Sequence, residues 1–163
     1  GKIFRMSPAP NVLHQSVLTQ LQGRLFQMIS NKSCKLFSAP FDVRLYDSKK
    51  SKRNEDVFTV VQPDLCLICD PNKLDEHGAI AAPELVIEIL SPGNSKKEMK
   101  YKFDLYEEAG VLEYWIVDPV YKTVLVYVLE NGKFVGQHPL IEDDKIASRL
   151  FPEMDFELKG VFG

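Results

Sequence analysis

The run Leu85-Val86-Ile87-Glu88-Ile89-Leu90 is apolar at every position but one. Successive side chains on a β-strand point to opposite faces, so Leu85, Ile87 and Ile89 share one face. Val86, Glu88 and Leu90 share the other. A strand that is apolar on both faces belongs at the centre of a sheet covered by a layer on each side. Glu88 makes the constraint chemical. An ionised carboxylate in a dry core is costly unless it is paired or bound to a metal, so a buried ion pair and a metal ligand are its two readings. Glu84, at the start of the run beside Pro83, reads as exposed.

Around this strand the pattern alternates. Gly1 to Met6 reads as a strand that Ser7-Pro8-Ala9-Pro10 breaks, and Asn11 can cap a helix running to about Ser30. Leu18, Leu21, Leu25 and Met28 give that helix one core face. His14 lies on the same face, where a packed helix histidine is the plain reading and a role near a site is the sharper one. Cys34 to Tyr46 is extended, with Pro40 marking a break or an edge. The next segment holds Lys49, Lys50, Lys52 and Arg53 without apolar periodicity, as a solvated loop or a phosphate-contacting one.

Val57 to Val61 and Leu65 to Cys69 are strand-like, separated by Gln62-Pro63-Asp64, and a polar loop follows from Asp70 to Ala82. After the central strand, Ser95 can cap a helix to about Ala109, which Gly110 ends. Tyr114 to Val117 and Lys122 to Leu129 read as strands, and Asn131-Gly132 is a type I′ hairpin signal joining the second to Lys133–Gln137. The tail from Ile146 has scattered apolar residues and no clear motif. This order predicts one α/β domain over residues 1–163, with a mixed β-sheet flanked by helices.

Composition narrows the function. A formal net charge of -3 gives no global electrostatic case for nucleic acid, so any such surface must be local. No run is long and apolar enough for a membrane span, and no signal-peptide core is visible at the start, so no membrane partner is expected. Cys34, Cys66 and Cys69 are an odd number without a disulfide framework, for which a reducing cytoplasm is the simplest reading. Cys66 and Cys69 form C-x-x-C, but residues three apart on a strand face opposite ways and cannot jointly grip zinc.

Phosphodiester hydrolysis uses a divalent cation that polarises the phosphate and activates a water. Mg²⁺ takes oxygen ligands, usually one or two carboxylates with waters and phosphate. Asp64 and Glu88 can supply those carboxylates if their strands are neighbours, with the peptide carbonyl of Ile89 as a further oxygen. A turn-former after Pro63 is the plain alternative for Asp64. A lysine completes the set by offsetting developing charge. At about 100° per residue, Met99, Phe103, Leu105, Tyr106 and Ala109 define the apolar stripe of the second helix, and Lys102 projects near its middle. Glu98 and Tyr106, one turn away on either side, can hold Lys102 in place. Lys96, Lys97 and Lys100 point elsewhere and are free to meet a nucleic acid.

The string from Pro83 to Pro92, then Lys102-x-x-x-Tyr106, then Gly110-Val111-x-Glu113-Tyr114-Trp115-Ile116-Val117-Asp118-Pro119, resembles the Uma-type restriction-endonuclease family. That family belongs to the PD-(D/E)XK nuclease superfamily. The likeness extends through Ser7-Pro8-Ala9-Pro10, His14-Gln15 and Gln62-Pro63-Asp64, nearly the whole chain. It implies a restriction-endonuclease-like mixed sheet with Asp64 and Glu88 as the acidic pair. The superfamily's usual lysine, two residues after the second acid, is replaced here by Leu90, and Lys102 fits a lysine moved to the following helix. The resemblance also implies a further acidic residue in a segment ahead of Gly1. The resulting expectation is a cytoplasmic endonuclease that cuts DNA with Mg²⁺ or Mn²⁺ and works as a homodimer by analogy. In that reading Asp64, Glu88 and Ile89 hold the metal, Lys102 assists, Tyr106 packs on Lys102, and Lys49, Lys50, Lys52, Arg53, Lys96, Lys97 and Lys100 contact DNA. The alternative is an inactive nucleic-acid-binding or dimerisation domain on the same scaffold.

Overall fold

The run around Glu88 forms the centre of the sheet, as its two-sided apolarity requires. The computed structural model describes residues 10–30, 32–46 and 58–163. Among the described residues the α-helices are α1 (Val12–Ile29) and α2 (Lys96–Ala109), with a 3-10 turn at Pro71–Lys73. The strands ahead of α2 are β1 (Lys35–Ser38), β2 (Val43–Tyr46), β3 (Phe58–Val61), β4 (Leu65–Ile68), β5 (Leu74–Asp75), β6 (Gly78–Ala79) and β7 (Leu85–Ile89). After α2 come β8 (Glu113–Asp118), β9 (Thr123–Glu130), β10 (Lys133–Gly136), β11 (Leu140–Ile141), β12 (Lys145–Ala147) and β13 (Asp155–Glu157). The strand predicted at Gly1–Met6 and the basic loop with Lys49, Lys50, Lys52 and Arg53 lie outside the described residues.

The main sheet runs β1-β4-β7-β8-β9-β10, with β11 also on β9. Among the described strands, only β7 and β8 pair in parallel within it, and α2 makes the crossover between them. A second sheet has the order β3-β2-β6-β5, and β12 pairs with β13 as a hairpin. Gly78, at φ 127, lets β6 approach β2 closely, since a Cβ there would run into the Asp42 carbonyl.

Each face of β7 is covered by its own layer. Leu85, Ile87 and Ile89 pack with Val17, Leu21 and Leu25 of α1 and with Met154, Leu158 and Val161 of the tail. Val86 packs on the other side with Tyr106 of α2, with Tyr114 and Ile116 of β8, and with Val43, Leu45 and Val61 of the second sheet. All five residues of β7 are buried. Asn11 caps α1 by accepting a hydrogen bond from the His14 N–H at 2.8 Å, and Ser95 caps α2 through the Glu98 N–H at 3.1 Å. Gly110 ends α2 at φ 85, where a left-handed residue is needed. Asn131 and Gly132 both have positive φ, as a type I′ turn demands.

Three readings of the sequence are corrected. Cys34 and Cys69 form a disulfide, against the expectation of three free thiols. The cause is register: β1 and β4 are antiparallel with Lys35 opposite Ile68, and one further step brings Cys34 against Cys69. The inference of a reducing compartment loses its footing with that bond. The tail is not featureless either. It forms the β12–β13 hairpin and is tied to β8 by the fully buried Glu113, whose carboxylate accepts from Trp115 Nε1 (2.7 Å), Ser148 Oγ (2.9 Å), and the Arg149 and Leu150 N–H groups. Glu84 is half-buried rather than exposed, because Lys73 Nζ reaches it at 2.5 Å and the Cys69 N–H donates to it at 3.0 Å.

Candidate active site

The antiparallel register of β4 and β7 sets Leu65 opposite Ile87. Continued by one residue, it sets Asp64 opposite Glu88, and cross-strand partners project from the same face. The turn-forming role of Asp64 after Pro63 and the mid-strand position of Glu88 thus converge on one point. Asp64 Oδ2 accepts the Ile89 N–H at 2.7 Å, which ties the start of β4 to the end of β7. Its other oxygen, Oδ1, lies 3.2 Å from His14 Nε2.

Glu88 is 7% exposed and has both oxygens engaged from α2. The Tyr106 hydroxyl donates to Oε1 at 2.6 Å, and Lys102 Nζ donates to Oε2 at 3.0 Å. Lys102 and Tyr106 stand one helical turn apart and so share a face. The Ser91-to-Ser95 turn aims that face, with Asn94 Oδ1 accepting the Ser91 N–H at 2.7 Å. Glu98 Oε1 sits 3.9 Å from Lys102 Nζ. The sequence reading had Tyr106 resting on Lys102; its hydroxyl instead goes directly to Glu88, since both side chains reach the same carboxylate from one face of α2. Every oxygen of the two acids therefore has a partner, and among the described residues no buried side-chain polar atom lacks one.

Burial pushes the Glu88 carboxyl above the usual carboxylate range, against the pull of Lys102, and the nearby Asp64 charge pushes the same way. Burial works against the Lys102 ammonium, but the charges of Glu88 and Asp64 outweigh it and hold the lysine above its ordinary value. His14 is raised by its hydrogen bond to Asp64 in spite of burial, with further contributions from the Asp64 and Glu88 charges and the Ile89 backbone. Tyr106 is pushed far up by burial and by Glu88, so it stays a proton donor. Cys66, on the Glu88 side of the sheet, is pushed up by burial to about 12 and is an inert thiol.

Two coupled carboxylates with a backbone oxygen nearby form a hard-oxygen donor set, which suits Mg²⁺ or Mn²⁺ shared with substrate phosphate and water. Among the described residues no three His, Cys, Asp or Glu side chains are gathered as a complete cage. Of the lysines singled out for nucleic acid, Lys96 and Lys97 are exposed at the start of α2, and Lys100 is exposed but pairs with Asp104 at 3.0 Å. The residue that sequence reasoning undervalued is His14. Its place on the core face of α1 was visible, but its neighbour Asp64, fifty positions along, was not.

A mixed sheet with α1 and the tail on one face and α2 and the second sheet on the other, carrying an acid pair and an inward lysine, makes a nuclease-like α/β fold. The chain belongs to the Uma2 family, described as "Putative restriction endonuclease", which matches residues 1–159. Among solved structures it is similar to "a putative nuclease belonging to DUF820" from Anabaena variabilis. That likeness has a TM-score of 0.72 at 18% identity, covering 97% of this chain and 84% of the other, and it bears on the fold. No curated protein matches the chain significantly.

Proposed function

We propose that this protein is a divalent-metal-dependent endonuclease that hydrolyses DNA phosphodiester bonds. The observation that carries the reading is the pairing of Asp64 with Glu88 on adjacent strands, with Lys102 Nζ 3.0 Å from the second acid. Family membership and the likeness to the Anabaena variabilis putative nuclease support it. Asp64, Glu88 and the Ile89 carbonyl would hold Mg²⁺ or Mn²⁺, which when bound would supply the charge that polarises the phosphate and lowers the pKa of a water. The remaining work falls to the chain's own groups. Lys102 neutralises charge that builds on the phosphate, and in its absence balances Glu88. Tyr106 fixes the Glu88 carboxylate plane through its 2.6 Å hydrogen bond. Lys96 and Lys97, with the basic residues of positions 49–53, attract the DNA backbone, and Lys100 adds to them when it leaves Asp104. By analogy with restriction-type nucleases, which commonly use two active sites for the two strands, the active form is a homodimer.

The test is conversion of supercoiled plasmid in Mg²⁺ or Mn²⁺, with a chelator control, for wild type beside Asp64→Asn. Metal-dependent nicking that disappears in the variant is the expected result. Unaltered cleavage by Asp64→Asn removes the site assignment. Salt-sensitive DNA binding without turnover moves the protein to the inactive-scaffold reading.

A further inference from the structure

His14 is only 5% exposed, and nothing in the reaction outlined above uses it. It sits in the first turn of α1, where the Asn11 cap fixes the backbone, and its ring reaches over the end of the sheet. One of the groups assigned to the metal meets that ring, Asp64 Oδ1 at 3.2 Å from Nε2, and the same carboxylate accepts the Ile89 N–H through Oδ2 at 2.7 Å. Neighbouring donors on an octahedral ion at about 2.1 Å stand about 3 Å apart. The spacing of Nε2 and Oδ1 is that of two adjacent corners.

We infer that His14 is a nitrogen ligand of the metal assigned to Asp64, Glu88 and Ile89, and that it biases the site toward Mn²⁺ over Mg²⁺. The inference rests on the metal-dependent reading of the site and adds to it the identity of the ion. Mg²⁺ takes oxygen donors and keeps its waters, whereas imidazole is a ligand of first-row transition ions. An imidazole beside the Asp64 and Glu88 carboxylates and the Ile89 carbonyl thus favours Mn²⁺ over Mg²⁺. Gln15 lies beside the other ring nitrogen, with its amide nitrogen 3.5 Å from Nδ1. A half-turn of that amide puts its oxygen there to accept the Nδ1 hydrogen, leaving the Nε2 lone pair for the metal.

The probe is Mn²⁺ itself, added to the purified full chain. Pulsed electron paramagnetic resonance reads coupling between Mn²⁺ and an imidazole ¹⁴N, and calorimetry reads the Mn²⁺ and Mg²⁺ affinities. The expected result is ¹⁴N coupling in wild type that vanishes in His14→Asn, with Mn²⁺ affinity falling roughly tenfold or more while Mg²⁺ affinity changes little. His77 and His138 are exposed, and the variant separates them from His14 as the source of the signal. Mn²⁺ bound by wild type without imidazole coupling overturns the inference and leaves the two-carboxylate site standing. Failure of wild type to bind Mn²⁺ in the presence of a duplex overturns both. The wild-type spectrum decides the matter even if the variant folds poorly.

Discussion

At the residue scale, His14 of the metal-free protein titrates higher than an ordinary histidine because Asp64 accepts its hydrogen bond. A basic group with a raised folded pKa binds its proton more tightly in the folded state, so folding gains from that proton. The gain is complete below the unfolded histidine value of about 6.5 and is lost as pH rises through the folded value. Urea midpoints of metal-free protein should therefore fall across that window, less so in His14→Asn. The Glu88–Lys102 pair makes a second prediction. Removing Lys102 alone leaves a buried carboxylate with one partner, whereas removing both charges does not. In a double-mutant cycle, Lys102→Met and Glu88→Gln should each destabilise, and the double variant should cost less than their sum by about 1–3 kcal/mol. Additive losses in chemical denaturation would mean the two side chains do not support each other.

At the scale of elements, two glycines do different things. Gly110 ends α2 in the left-handed region, but a Cβ there meets nothing within 4 Å, so Gly110→Ala carries only the backbone penalty of about 1 kcal/mol. Gly78 has positive φ and no room beside the Asp42 carbonyl. Gly78→Ala should lower the denaturation midpoint by clearly more than Gly110→Ala and weaken hydrogen-exchange protection in β2 and β6. Much at this scale was legible in the sequence. Asn11, Ser95, Gly110 and Asn131-Gly132 act through neighbours within a few residues, and each behaves as local chemistry dictates. The β12–β13 hairpin was not legible, because its apolar residues are recruited by a sheet far away in sequence and by the buried carboxylate of Glu113.

At the scale of the molecule, the disulfide joins the start of β1 to the end of β4 across 35 positions. Cross-links of that span restrict the unfolded chain and stabilise by about 4 kcal/mol in the chain-entropy account. Reduction should lower the unfolding free energy by that order, and the Cys34→Ser/Cys69→Ser variant should match the reduced protein. Equal stability of the oxidised and reduced forms would show that the register of β1 and β4 holds without it. The bond also braces β4, the strand that presents Asp64, so Mn²⁺ affinity measured with and without reductant reads how far the brace reaches.

The sequence by itself determined the central strand, the burial of Glu88, the inward phase of Lys102 and the ends of both helices. Each follows from side-chain alternation, helical period or a capping residue, all of which act over a few positions. Tertiary structure alone decided which groups meet. Asp64 faces Glu88 through strand register, His14 reaches Asp64 because α1 lies over the sheet, and Cys34 finds Cys69 because β1 pairs with β4. Register and layer packing are set by the fit of the whole core, which no short stretch of this chain contains.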